Sequence, residues 1–238
     1  MVSAYSNIHC AFLQSCVHHG IIELEDALKF LTRLYKTEKP NDDVVNPTQI
    51  SLRILVAEIN LRISKYDQKL VLFDCEPSLK TFIIFVNISN TGFNRFQTAY
   101  SNGELNLFRL ILQALAKSQA HQISQIECLN LTAQIPRVRR AKRVTKSRAE
   151  ELMHDWCLQG YLVLGGDVVR FGPRTIVEFK PYLINHFPGH IKVCRLCKDA
   201  VFYGTSCAEC KEQMHKKCLT TYIKRMKKCP ACKKQWKA

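Results

Sequence analysis

The chain has 238 residues, of which 47% are apolar, and a formal net charge of +15. This apolar content excludes a chain that is disordered throughout, and the length allows two or three small domains. No apolar run approaches the roughly 18 residues of a membrane-spanning helix, and residues 1–20 lack the basic start and apolar core of a signal peptide. We therefore expect an intracellular protein that does not cross a membrane.

The first half of the chain predicts three helices, a β-ribbon and a fourth helix. The helices are expected at residues 8–17, at 24–35, from Asn46-Pro47 to about Asn60, and at 103–117. Runs rich in β-branched and aromatic residues predict strands at Leu61–Tyr66, Leu70–Phe73 and Thr81–Ile88. Three helices followed by a short ribbon is the order of a winged helix. We therefore predict one winged-helix domain over residues 1–118, closed by the helix at 103–117.

The second unit repeats this order over residues 119–190. Helices are predicted at residues 123–133, 146–159 and 174–187. The strands Tyr161–Leu164 and Val168–Phe171 flank Gly165-Gly166-Asp167, which indicates a hairpin turn. A helix with a tight two-stranded wing directly after it predicts a second winged helix.

The helix before this wing is where a DNA-reading winged helix would contact bases. It carries Lys146 and Arg148 at its start, but Glu150, Glu151 and Asp155 follow. Docking of a protein partner is therefore favoured over sequence-specific reading of DNA. The basic run over residues 137–148 remains open as a non-specific DNA contact, a nuclear import signal or a linker.

Seven of the twelve cysteines lie near the C-terminus and, with one histidine, form four pairs that each enclose two residues. That spacing lets a tight turn direct both side chains at one tetrahedral ion, so four pairs predict two zinc ions. A serial order would join the first pair to the second, whereas a cross-brace joins the first to the third. In the cross-brace, one ion is held by Cys194, Cys197, His215 and Cys218, and the other by Cys207, Cys210, Cys229 and Cys232. Neither site keeps a position open for water, which argues against metal-based hydrolysis.

The ligand order of four cysteines, one histidine and three cysteines is shared by PHD fingers and variant RING domains. PHD fingers usually carry an aromatic residue two positions before the last pair, where this chain has Lys227. The last pair instead encloses a proline, as in RING ligases, which favours a variant RING over residues 191–238. A groove for a ubiquitin-conjugating enzyme would then be formed by Leu196, Tyr222, Ile223 and Pro230, with Lys233 next to ubiquitin. The alternative role for these residues is packing around the metal ions or, for the lysine, simple solvation.

Short motifs along the chain together point to one family. They are His9–Gln14 with His19-Gly20, Glu104–Arg109, Ser206–Cys210, Met214-His215, Cys229–Cys232 and Trp236. Over nearly its whole length the chain resembles the RING-bearing first non-SMC element of the Smc five/six complex. The resemblance implies a mostly α-helical fold with small β wings, in which tandem winged-helix domains precede a cross-braced two-zinc variant RING.

The same resemblance implies a function in the nucleus, on chromatin. Family members are described as ubiquitin ligases that act in DNA repair and recombination and are stimulated by a MAGE-domain partner. The implied partners are this MAGE-domain subunit, which the winged helices clasp, the kleisin of the complex, and a ubiquitin-conjugating enzyme. Two alternatives stay open. One is a non-catalytic interaction subunit whose RING is a zinc-stapled docking surface. The other is a module that contacts DNA through two basic patches, the run over residues 137–148 and the segment Lys192–Ala238, which has 13 Lys or Arg and 3 Asp or Glu.

Overall fold

The structure is a computed structural model that describes residues 5–38, 47–87, 100–136 and 143–236. The first half of the predicted basic run, residues 137–142, lies outside these ranges, as does Asn46 at the predicted start of the third helix. Within them, no helix is both long enough and apolar enough to cross a membrane.

The first unit has the element order of a winged helix. Its elements are α1 (Asn7–His19), β1 (Ile21–Glu23), α2 (Leu24–Glu38), α3 (Gln49–Ile63), β2 (Gln68–Cys75) and β3 (Lys80–Asn87). The three strands form one antiparallel sheet in the order β1-β3-β2, and the helices cover one of its faces. Fully buried apolar side chains from each layer, including Phe12, Leu31, Leu52, Ile59 and Ile83, form its core.

One predicted strand in this unit is wrong, and the predicted third helix is confirmed with shifted ends. Leu61–Tyr66 is not a strand, because α3 continues to Ile63 and a 3-10 turn follows over Ser64–Tyr66. The buried positions Leu55, Ile59 and Ile63 keep the spacing of a helix, and packing of that face outweighs the β preference of the branched side chains. The helix also begins later than predicted, since Thr48 caps it by accepting a hydrogen bond from the N–H of Ser51.

The second unit repeats the same order. Its elements are α4 (Asn102–Lys117), β4 (Gln122–Ser124), α5 (Gln125–Asn130), α6 (Lys146–Leu158), β5 (Leu162–Gly165), β6 (Val168–Phe171) and α7 (Pro173–His186). The predicted wing is confirmed, since β5 and β6 pair across the glycine turn, and β4 completes the sheet in the order β4-β6-β5. The predicted helix over 123–133 was wrong at its start, because Ile123 and Ser124 pair with β6.

Helix α4 belongs to the second unit rather than closing the first. Its buried side chains, among them Phe108 and Leu112, lie in the same core cluster as Trp156 and Phe179. The ring of Phe108 packs against Trp156 with 4.9 Å between centroids. The predicted boundary at residue 118 therefore cuts through a core, and the boundary between the two cores falls before Asn102.

Two glycines with left-handed backbones bring the winged helices into contact. Gly20 (φ +72) ends α1 in the first unit, and a Cβ there would overlap the guanidinium of Arg174 on α7. Gly160 (φ +75) follows α6 in the second unit, and its Cβ would lie 2.9 Å from Ile21. The Arg174 side chain is only 10% exposed, and its Nε donates to Glu178 at 2.7 Å. Both approaches require a residue that has no side chain.

The C-terminal module packs against the second unit. Its elements are β7 (Lys192–Val193), β8 (Ala200–Val201), β9 (Thr205–Ser206), β10 (Gln213–Met214) and α8 (Lys216–Met226). Strands β7 and β8 form one small antiparallel sheet, and β9 and β10 form another. Phe202 lies in the core cluster of the second winged helix, 5.6 Å from the ring of Phe171, and the Tyr203 hydroxyl donates to the Phe171 carbonyl.

Replacing Gly20 by alanine tests the contact between the winged helices. We expect Gly20→Ala to lower the free energy of unfolding by about 2 to 4 kcal/mol, because left-handed backbone disfavours alanine and the methyl group overlaps a buried arginine. The matched control is Gly166→Ala at φ +60, where no atom lies within 4 Å, and it should cost only about 1 to 2 kcal/mol. Equal losses in denaturant unfolding would show that the Arg174 contact adds nothing.

Candidate metal centre

Each pair of cysteines lies in a tight turn, which ends at a lysine whose backbone is in the left-handed conformation. Lys198 (φ 64), Lys211 (φ 58) and Lys233 (φ 63) directly follow the second cysteine of their pairs. The N–H of each lysine donates to the carbonyl of the first cysteine, at 2.8, 3.0 and 3.1 Å respectively. The left-handed backbone costs about 1 to 2 kcal/mol per lysine, so the turns must be held by other contacts.

The first cluster joins the first and third pairs of the sequence. The ligand atoms of Cys194, Cys197, His215 and Cys218 all lie within 4.8 Å of one another. His215 Nδ1 is 3.2 Å from the sulfur of Cys197 and 4.0 Å from that of Cys218. Its Nε2 lies 2.9 Å from the carbonyl of Ala200, so Nε2–H is the donor and Nδ1 faces the sulfurs as a free ligand nitrogen.

The second cluster joins the second and fourth pairs. The sulfurs of Cys207, Cys210, Cys229 and Cys232 also lie within 4.8 Å of one another. Cys207 and Cys232 are 3.9 Å apart, and Cys210 and Cys229 are 3.8 Å apart. The pairs are thus interleaved, which is the cross-braced order and excludes the serial one.

Both clusters fit a four-coordinate ion. A tetrahedral ion with thiolate bonds of about 2.3 Å holds its sulfurs about 3.8 Å apart, which agrees with the distances in the second cluster. No disulfide is present among the described cysteines. With four protein ligands at each site, the ions would brace the fold and leave no open position for a substrate.

The backbone prepares the first cysteine of each site to lose its proton. Burial raises the pKa of Cys194, but N–H groups of Cys197, His215 and Leu196 aimed at its sulfur outweigh this and bring the pKa to about 6. The N–H groups of Cys210 and Glu209 lower the pKa of Cys207 to about 7. Burial, and after it the Cys197 sulfur, raise the pKa of Cys218 to about 12. A cation among the sulfurs would reverse that last shift, so metal binding must release protons.

The residues predicted to form a groove lie over the core of this module. Leu196 and Ile223 are half-buried and pack against the cluster of Cys194, Val201, Met214 and Leu219. Tyr222 and Pro230 are also half-buried, whereas Lys233 is exposed. These positions agree both with a groove for a conjugating enzyme and with simple packing around the metal sites or, for the lysine, solvation. The groove therefore stays a prediction.

Two residues that complete the first site have no signal in the sequence. The Ala200 carbonyl orients His215, and the Glu76 carboxylate accepts a hydrogen bond at 2.7 Å from the N–H of Lys216, the residue after that histidine. Glu76 lies 140 positions away in the first winged helix. No local spacing could have indicated it.

The chain folds as two winged helices followed by a cross-braced module. This module has one cluster of three cysteines and a histidine and a second cluster of four cysteines. These features define the class as a winged-helix protein with a RING-like domain. Residues 9–179 match the family described as "Nse1 non-SMC component of SMC5-6 complex", and residues 194–232 match the "RING-like domain". The chain belongs to the Nse1 family.

Curated relatives and a solved structure agree with this assignment. The chain is 30% identical to the "Non-structural maintenance of chromosomes element 1 homolog" of Drosophila melanogaster, over 94% of this chain and 93% of that protein. It is 25% identical to the Homo sapiens protein of the same description, over 97% and 84%. A chain in a solved "Nse1-Nse3-Nse4 complex" superposes with a TM-score of 0.81 over 99% of both chains, at 21% identity, and supports the fold.

Removing a single ligand tests the metal sites. We expect the wild-type chain to bind two ions and Cys210→Ser to bind one, because a tetrahedral site that loses a thiolate is strongly weakened. Elemental analysis of the purified chain measures the stoichiometry. Cys10→Ser, at an exposed cysteine on α1, is the control and should keep both ions. Two ions retained by Cys210→Ser would contradict the assigned ligands.

Proposed function

We propose that this chain is a RING-type E3 ubiquitin ligase subunit of the SMC5-6 complex. The observation that carries the proposal is the position of Leu196, Ile223 and Pro230. These side chains are half-buried at the surface of the RING-like module, and the first two pack on its core. They therefore combine an accessible apolar surface with a backbone fixed by the metal ligands, which suits a shallow protein-docking groove.

The mechanism in this proposal is catalysis by positioning. The RING holds a conjugating enzyme whose cysteine carries ubiquitin as a thioester, and it restrains that thioester for attack. The amine of a substrate lysine attacks the carbonyl carbon, the new C–N bond replaces the C–S bond, and the thiolate leaves while the amine loses a proton. No nucleophile from this chain is required. Lys233 would contact ubiquitin beside the groove.

The metal in this proposal is zinc at both sites. Three thiolates with one imidazole, and four thiolates, are ligand sets that zinc occupies in structural sites. Zinc would supply folding energy to a module whose strands have only two residues each, and it would take no part in the transfer of ubiquitin.

The proposed setting is the nucleus, where the subunit would act in DNA repair and recombination. The partners proposed are a MAGE-domain subunit bound by the winged helices and the kleisin of the complex. This follows from the family and from the structural similarity to a chain whose complex contains Nse3 and Nse4. Zinc-stapled docking without catalysis is the competing role of the RING.

A ubiquitin discharge assay tests the ligase. We expect Leu196→Ala to slow release of ubiquitin from a charged conjugating enzyme about tenfold, since it truncates a central contact of the groove. The assay uses the full chain with its MAGE-domain partner. Val193→Ala, an exposed aliphatic residue of β7 outside the groove, is the control. Absence of discharge with every conjugating enzyme tested, or equal discharge by Leu196→Ala, would favour the docking role.

A contact with DNA is proposed as a second activity of the RING. Residues 213–238 contain nine Lys or Arg and no Asp or Glu. Two of these lysines pair with acids from elsewhere, Lys217 with Asp74 and Lys234 with Glu209. Lys224, Arg225 and Lys228 are exposed around the C-terminal end of α8, where they suit phosphate groups.

The salt dependence of binding tests this contact. Changing Lys224, Arg225 and Lys228 to glutamine should reduce the slope of log K against log salt for duplex DNA by about 2 to 3. The control changes three exposed lysines of the first winged helix, Lys36, Lys65 and Lys69. An unchanged slope in the RING variant would exclude the contact.

A further inference from the structure

Helix α8 begins immediately after a metal ligand and lacks a cap of its own. His215 occupies its N-cap position, but one ring nitrogen faces the cysteine sulfurs and the other donates to the Ala200 carbonyl. The first N–H groups of a helix need acceptors from outside the helix. Glu76 supplies one, since its Oε1 accepts from the N–H of Lys216 at 2.7 Å, and the N–H of Lys217 also faces the carboxylate.

This acceptor belongs to a different domain. Glu76 lies at the tip of the β2–β3 hairpin of the first winged helix. Asp74, two residues earlier, forms an ion pair with Lys217 at 2.8 Å, and the hydroxyl of Thr81 donates to the same carboxylate. Two acidic side chains of one hairpin therefore contact the first turn of α8, where the helix dipole favours negative charge. We call these contacts, made by Asp74 and Glu76, the hairpin clasp.

The RING contacts the two winged helices through different kinds of interface. On the side of the second winged helix, Phe202 is 5% exposed inside a continuous apolar core. At the hairpin tip, by contrast, four clefts of ≈ 380 to ≈ 510 Å³ border Cys75, Glu76 or Pro77. These clefts interrupt the packing around the hairpin tip. The polar contacts of the clasp therefore provide the specific attachment of the first winged helix to α8.

We propose that Glu76 is a positioning residue, through which the first winged helix holds α8 and transmits the binding of a partner to the RING. Tyr222 and Ile223, the predicted groove residues of α8, lie between one and two helical turns beyond the capped N–H groups. A displacement of the hairpin therefore acts first on the start of this helix, which His215 and Cys218 also tether to the first cluster. The part of the proposal that concerns ubiquitin transfer rests on the proposed function above.

Hydrogen exchange on the full metal-bound chain tests the clasp without any assay of ligase activity. In Glu76→Ala, the amides of Lys216 and Lys217 should exchange about tenfold faster, because they lose their acceptor. Glu76→Gln, which keeps an oxygen but loses the charge, should give an intermediate rate. The matched control is Glu23→Gln, which breaks an ion pair with Lys80 in the same winged helix without touching the RING. Unchanged rates in Glu76→Ala would overturn the proposal.

The discharge assay then tests transmission. In the wild type and in Glu23→Gln, the MAGE-domain subunit should raise the rate of discharge by the same factor. In Glu76→Ala this factor should fall towards one, and Glu76→Gln should restore part of it. Faster amide exchange with an unchanged factor would refute transmission while leaving the cap in place. Lack of discharge by the wild type itself would count against the ligase, and the exchange rates would still decide whether Glu76 holds α8.

Discussion

The interleaving of two four-ligand sites is the constraint on which the C-terminal module depends. Its four strands have two residues each, and the buried cluster around them consists half of ligand cysteines: Cys194, Cys207 and Cys229 together with Val201, Met214 and Leu219. So small an apolar core cannot offset the entropy of ordering the chain. Ligation of a metal ion at each site would supply the missing energy and would hold in place the three lysines with left-handed backbones. Each ion would join two ligand pairs that are separated in the chain by a ligand pair of the other ion. Neither site could therefore form without the other.

The RING-like module contacts both winged helices. Phe202 extends the core of the second winged helix into the RING, and Tyr203 and Asp199 add polar contacts to Phe171 and Lys180. The first winged helix contacts the RING at the hairpin clasp, and it contacts the second winged helix at Gly20 and Gly160. The RING thus shares an apolar core with one winged helix and is joined by polar contacts to the other, an arrangement that suits the proposed transmission.

The proposed positioning mechanism follows from the absence of an open coordination position at the two metal sites. With every coordination position taken by protein, the ions can fix side chains in space but cannot activate water. The proposed functions therefore rest on surfaces, namely the predicted groove over the RING core and the basic end of α8. Tyr222 and Ile223 of the predicted groove directly precede Lys224 and Arg225 on α8, so a conjugating enzyme and a polyanion would meet at the same helix. Charge would discriminate among enzymes that dock there.

The sequence by itself determined the metal ligands, the tandem winged helices and most helices, because ligand spacing and apolar periodicity are local properties. It missed β1 and β4, each of three residues, since strands this short owe their existence to a partner strand. It also assigned α4 to the wrong unit. The apolar periodicity of an amphipathic helix shows that one face is buried, but it does not show which core that face packs against. The cross-braced pairing was also predicted from the sequence, and the two ligand clusters confirm it. Only the tertiary structure placed Gly20 against Arg174 and brought Glu76 to the start of α8. Both depend on contacts between segments far apart in the chain, and such contacts leave no periodicity or spacing in the sequence.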